Sequence, residues 1–446
     1  MPHTVPSPDP GAAASAEPAR RAARVEASLT APGAPFAVVL GERGTREYAD
    51  GPRTLREFVE TTWAYGDAPF LIAGERTCSY GEFFAAASAL AVRLRERYGL
   101  RPGDRAVIAS GNRPEWQIAF WAAQLAGLVA VPLDAGWPEE AFTYALEDCE
   151  PGVLLVDGER LGQVAGWARR TGTRVVLFPG GERAADRRRA AFPGGGQATD
   201  GLPVERYEDF PAPDPLAAPP DVAPRPEDDA TILYTRGATG RPRGAVATHL
   251  AQAGAALSAR YHAAASARAG GAIPGLEPAP VRPMTFPFSD AAAFTGFYGA
   301  MAAGGALALM DDPAGGGPEG PAPLPGHGLA SGYGLASGYG LASGYGLAET
   351  CGVVLAPFGD DCRAEPGCAG RPAPVTEVLI TGPSGEGRPD GEPGELWLRG
   401  QSLFRGYWRD AAATGAAFGD GGWFRTGDRA VRRDGWVSIV GRLTGA

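Results

Sequence analysis

Between Arg105 and Phe178 short apolar runs alternate with segments of helical periodicity. Arg105 to Ser110 reads as a strand, Pro114 to Ala126 as a helix closed by Gly127, and Leu128 to Leu133 as a second strand. Glu139 to Asp148 then reads as a helix, Val153 to Asp157 as a strand, Leu161 to Arg170 as a helix and Arg174 to Phe178 as a strand. Successive strands joined by helices pair in parallel with the helices on the sheet faces, so this order predicts an α/β fold. Start signals upstream agree: Thr54 with Glu57, and Ser79 with Glu82, each form a capping box ahead of apolar residues, and Gly99 closes the second helix.

Four regions follow. Residues 1–50 are dominated by Ala, Pro, Gly and Arg without sustained periodicity, which predicts a disordered arm. Residues 51–250 form a first α/β subdomain, with a Pro/Gly-rich surface connection over 179–226 and a return to the sheet at Thr231 to Tyr234. Residues 251–360 form a second, shortened α/β subdomain with a strand at Leu307 to Met310, followed by Leu-Ala-Ser-Gly-Tyr-Gly at 329–334, 335–340 and 341–346. A six-residue unit with two glycines predicts a loop. Residues 361–446 carry short strands at Glu377 to Ile380, Glu395 to Arg399 and Trp436 to Val440 between Gly-rich turns, which predicts a small antiparallel, barrel-like subdomain.

A net charge of −10 argues against nucleic acid and anionic membrane as partners, since both select basic surfaces. No run of 18 apolar residues occurs, so no membrane span is expected, and without a leader segment the expectation is a cytoplasmic protein. Cys78, Cys149, Cys351, Cys362 and Cys368 have neither zinc-site nor disulfide-framework spacing. All 41 basic residues are arginines, so no step can use an ammonium side chain.

The segment Tyr234-Thr-Arg-Gly-Ala-Thr-Gly-Arg-Pro-Arg-Gly244 follows a strand and offers backbone N–H groups and hydroxyls to phosphate oxygens. It is not a Walker loop. It resembles the phosphate loop of the AMP-dependent, adenylate-forming synthetase and ligase family, which includes the acyl-CoA synthetases. Gly103-Asp-Arg-Ala-Val-Ile108, Asn112-Arg-Pro-Glu-Trp116, Ala126 to Pro132, Gly344-Tyr-Gly-Leu-Ala-Glu-Thr350, Gly394-Glu-Leu396, Gly406-Tyr-Trp408, Trp423-Phe-Arg-Thr-Gly-Asp428 and Asp434 to Arg442 resemble further motifs of that family in the same order.

The resemblance implies the family's large N-terminal domain and an AMP-forming acid:CoA ligase that activates a fatty or aryl acid with ATP and Mg2+, with coenzyme A as co-substrate. It implies phosphate binding by Thr235, Arg236, Gly237, Ala238, Thr239, Gly240 and Arg243, with Arg243 as the charged catalytic group. Gly344, Tyr345, Gly346 and Ala348 would border the adenine, with the Tyr345 ring stacked on it. Glu349 would be the catalytic magnesium ligand, Asp428 would accept from the ribose hydroxyls, and Arg442 would sit near the same sugar.

Departures are visible too. Arg236, Ala238 and Arg243 replace serine, threonine and lysine, and Pro287-Phe288-Ser289-Asp290 lacks the family's histidine. Only 18 residues separate Met310 from Leu329, and the sequence given ends where the family's small C-terminal domain would begin. The expectation is a ligase homologue that is weak or inactive alone. Its alternatives are a non-catalytic nucleotide- or acyl-binding remnant, an interaction module, or half of a split ligase whose C-terminal domain is encoded separately.

Overall fold

The structure is a computed structural model and describes residues 10–134, 136–179, 202–236, 241–271, 279–284, 286–309, 344–357 and 367–443. Its largest sheet has eight strands in the order Gly406–Tyr407, Pro242–Thr248, Asp229–Arg236, Val129–Pro132, Arg105–Ala109, Val153–Asp157, Arg174–Phe178 and Val204–Arg206. Pairing is parallel from Asp229–Arg236 through to Val204–Arg206, as the alternation predicts. The two outer strands on the other side are antiparallel, Pro242–Thr248 returning from Asp229–Arg236 as a hairpin. Within the expected surface connection, Val204–Arg206 adds an edge strand.

Helices Tyr80–Val92 and Pro114–Leu125 cover one face of this sheet with Trp116, Phe120 and Trp121 in the core, and Glu139–Cys149 and Leu161–Thr171 cover the other. Ser79 and Glu82 form the full capping box. Thr54 accepts from the Glu57 N–H, but the Glu57 carboxylate turns to the Arg53 N–H, so that cap is one-sided.

Three boundaries differ from the sequence reading. The expected disordered arm contains a helix over Pro10–Thr30 and a hairpin of Val38–Leu40 with Arg46–Tyr48. Alanine is the best helix former, and its small side chain lets Ala22 and Leu29 pack with Leu257, Tyr261 and Ala265 of the helix His249–Ala269. Secondly, a boundary at residue 250 does not separate the sheets. Pro69–Ala73 and Arg76–Ser79 join Ala306–Leu309 and Val281–Met284 in a four-stranded sheet. Thirdly, Tyr345–Leu347 and Gly352–Ala356 belong to the antiparallel sheet, whose expected strands appear as Thr376–Thr381, Gly394–Gly400 and Trp436–Arg442.

Among the described residues no helix is long and apolar enough to cross a membrane. Cys368 is disulfide-bonded, where spacing alone had predicted no disulfide framework, while Cys78, Cys149 and Cys351 are free.

Candidate functional site

The eight-stranded parallel-centred sheet and the antiparallel sheet both contribute to the wall of a cavity of about 780 Å3, and the segment Pro287 to Ala292 completes it. Two of its wall segments stand at the carboxyl ends of parallel strands: Pro132 and Asp134 after one, Tyr234 and Thr235 at the end of the next. Ligands of open α/β sheets bind in such crevices.

Part of the cavity wall is charged. Thr235 and Arg243 face each other across the hairpin, paired in register, and the Thr235 hydroxyl donates to the Arg243 carbonyl at 3.4 Å. Arg236 ends its strand, and Gly237, Ala238, Thr239 and Gly240 lie outside the described residues. Opposite stands Gly344 to Glu349, where Gly344, Gly346 and Ala348 line the cavity. Gly346 has a structural reason, because a Cβ there would collide with the Gly352 carbonyl. The turn after Leu347 is fixed by Thr350, whose hydroxyl accepts from the Leu347 N–H at 2.8 Å.

Glu349 is buried and lines the cavity. Burial, the largest cause, raises its carboxyl above the usual range, while the Tyr407 hydroxyl and Arg442 oppose that rise. The Tyr407 O–H donates to Glu349 Oε1 at 2.9 Å. Among the described residues no cluster of three or more His, Cys, Asp or Glu could hold a metal unaided. A single carboxylate facing a cavity fits a hard cation that takes its other ligands from phosphates and water.

Asp428 and Arg442 come together on adjacent strands, paired in register, with Arg442 Nη1 3.4 Å from Asp428 Oδ1. Arg442 lines the cavity, but Asp428 is almost fully buried behind it. Tyr345 departs from its expected role. Its ring is 2% exposed and packs in the core of the antiparallel subdomain with Leu355, Ile380 and Leu398. Its hydroxyl donates to Asp428 Oδ2 at 2.7 Å, so in this conformation no ring face is open to a base. The cause is the short strand Tyr345–Leu347, whose pairing with Gly352–Ala356 leaves Gly344 and Gly346 on the cavity wall and Tyr345 in the core.

Trp137, Pro287, Ser289, Asp290 and Ala291 also line the cavity. Asn112, from the turn after the strand Arg105–Ala109, clamps this segment. Its amide donates to the Phe286 carbonyl at 2.6 Å and its oxygen accepts from the Phe288 N–H at 2.8 Å. Phe288 stacks on Trp116 with ring centroids 4.9 Å apart. Asp290 caps the helix Ala291–Ala302, and burial, aided by the charge of Asp134, raises its carboxyl. Sequence reasoning gave no role to Asn112 or Tyr407, although both stand inside motifs that it quoted.

The AMP-binding enzyme family model matches residues 58–316 and 333–408. A feruloyl-CoA synthase of Amycolatopsis sp. is 30% identical over 412 residues, covering 83% of this chain and 74% of that protein. ATP-bound MatB of Rhodopseudomonas palustris superposes with a TM-score of 0.66 at 22% identity, covering 87% of this chain and 78% of that one. The inhibitor-bound N-terminal domain of FACL13 from Mycobacterium tuberculosis superposes at 0.65 and 22% identity, covering 88% of this chain and 100% of that one.

Proposed function

The chain belongs to the AMP-binding enzyme family, and from that premise we propose that it activates a carboxylic acid with ATP as an acyl-adenylate destined for coenzyme A. One observation carries the reading: Arg243, Glu349 and Arg442 line the same cavity as Pro287, Ser289, Asp290 and Ala291 of the clamped segment. A nucleotide and an acid can therefore meet inside it. The acid is of the fatty or aryl class, as in the relatives, and the setting is the cytoplasm, where ATP and coenzyme A are abundant.

In the proposed reaction a carboxylate oxygen attacks the α-phosphorus of ATP and pyrophosphate leaves. Magnesium held by Glu349 and the phosphates supplies charge neutralisation when bound. Thr235 and the neighbouring backbone orient the phosphates, Arg243 faces the developing charge, and Asp428 with Arg442 receives the ribose. Catalysis is then mainly positioning and electrostatics.

The rate is low by this reading. A guanidinium is wider than an ammonium, and the sequence contains no lysine to replace it. Losing a preorganised charge-stabilising group at a reacting centre typically costs about 3–4 kcal/mol, or two to three orders of magnitude. The second reading, a nucleotide- or acyl-binding protein without turnover, is favoured by the engagement of Asp428 with Tyr345. The two separate on incubating the protein with ATP, magnesium and a panel of acids, and trapping adenylate with hydroxylamine. Acid-dependent pyrophosphate and hydroxamate support the ligase reading; ATP binding without either leaves the nucleotide-binding protein, and no ATP binding removes both of these, leaving only an acyl-binding protein.

A further inference from the structure

Tyr407 touches both Glu349 and Arg243, the charged residues proposed to meet the nucleotide. Its hydroxyl donates to Glu349 Oε1 at 2.9 Å, and the Arg243 guanidinium lies 5.6 Å from its ring centroid. The nearest carboxylate paired with Arg243 is Asp410 at 4.0 Å; among the described residues no ion pair joins Arg243 to Glu349. Two opposite charges in a half-buried cavity attract strongly, and their direct contact would neutralise both.

The phenol is held firmly. Gly406–Tyr407 pairs with Ala245 and Val246 of the Arg243 strand, and the Tyr407 N–H donates to Thr414 Oγ1 at 2.9 Å. Gly406 has φ of 146°, and a Cβ there would meet Thr414 at 2.6 Å, so the strand can approach this closely only with glycine.

We propose that Tyr407 is a positioning residue, a spacer that keeps Arg243 and Glu349 from pairing with each other so that one stays free for phosphate and the other for a cation. Its hydroxyl commits Glu349 Oε1 and leaves Oε2 as the ligating atom, while its ring carries Arg243 by a cation–π contact. The assignment rests on the nucleotide reading above.

The test is calorimetry of ATP on the full chain, with magnesium and with EDTA, for the parent, Tyr407→Phe, Tyr407→Leu, Glu349→Ala and the double variant Tyr407→Leu/Glu349→Ala, each checked for a cooperative melt. Tyr407→Phe keeps the ring and loses the hydroxyl. It should lose about tenfold or more of the magnesium-dependent tightening and keep the parent's affinity in EDTA. Tyr407→Leu should also bind more weakly in EDTA, because Arg243 collapses onto Glu349, and removing Glu349 as well should restore that loss. A merely structural tyrosine would not be rescued by deleting its neighbour. Equal magnesium enhancement in Tyr407→Phe and parent overturns the assignment, as does a double variant no tighter in EDTA than Tyr407→Leu. If Tyr407→Leu fails to fold, the Tyr407→Phe comparison decides alone. A parent that binds no ATP in either buffer overturns the nucleotide reading, and the assignment with it.

Discussion

Tyr345 donates its hydroxyl to Asp428 Oδ2 at 2.7 Å from inside the core, while Arg442 approaches the other oxygen of the same carboxylate at 3.4 Å. The acceptor proposed for the ribose is thus engaged by the protein itself. Replacing Asp428 with Ala removes that acceptor and takes the carboxylate partner from a buried phenol. ATP binding should be lost and the unfolding free energy should fall by about 1–3 kcal/mol. Calorimetry and denaturant melts read the two effects separately; parent-like ATP affinity would show that Asp428 does not meet the sugar.

Tyr345→Phe tests the competition from the other side. The ring stays and the hydroxyl no longer occupies Oδ2, so ATP should bind more tightly by the worth of one net hydrogen bond, about 0.5–1.5 kcal/mol or roughly two- to tenfold. Weaker binding would mean that the hydroxyl helps the nucleotide instead of competing with it.

The parallel centre of the large sheet was legible because Arg105–Ala109, Val129–Pro132 and Val153–Asp157 are short apolar runs each followed by a helix pattern, and Leu128 to Leu133 and Val153 to Asp157 fall within a residue of Val129–Pro132 and Val153–Asp157. The hairpin Pro69–Ala73 with Arg76–Ser79 was not. Its Gly74-Glu75 turn was a readable signal, but pairing with Ala306–Leu309 spans more than 200 residues, which no local pattern encodes. At the site, the motif picked out Glu349, which the structure places on the cavity wall. The direction of the Tyr345 ring depends on the register of a three-residue strand, and the Asn112 clamp on a neighbour far away in sequence.

The clamp makes its own prediction. Asn112→Ala leaves the Phe288 N–H and the Phe286 carbonyl without their partner, which should lower stability by about 1–3 kcal/mol. With the clamped segment proposed to receive the acid, the Michaelis constant for the acid should rise while ATP binding holds. Equal losses for acid and ATP would contradict this division of the cavity.

Burial lowers His262 to about 3 and His249 to about 4 from the usual 6.5. Below about pH 6.5 the unfolded chain takes up protons that the folded chain refuses, so their contribution to stability is complete above that pH. It is lost as the pH falls toward 4, at about 1.4 kcal/mol per pH unit for each histidine. Neither ring nitrogen of His262 meets a hydrogen-bond partner among the described residues. His262→Leu should therefore keep or raise the melting temperature at pH 7 and flatten its decline between pH 6.5 and 4. An unchanged slope would contradict the burial of a neutral imidazole there.

The central claim is that a carboxylate oxygen attacks the α-phosphorus of ATP in this cavity, and isotope transfer tests it most directly. The acid panel, with both carboxylate oxygens carrying oxygen-18, is incubated with the protein, ATP, magnesium and coenzyme A, and the nucleotide products are resolved by mass spectrometry. Formation of the adenylate places one labelled oxygen in the bridge to phosphorus, and cleavage on the acyl side leaves it on AMP. The account predicts AMP carrying one oxygen-18, formed slowly and only with an acid that the cavity accepts. Unlabelled AMP, or ADP in its place, would contradict it.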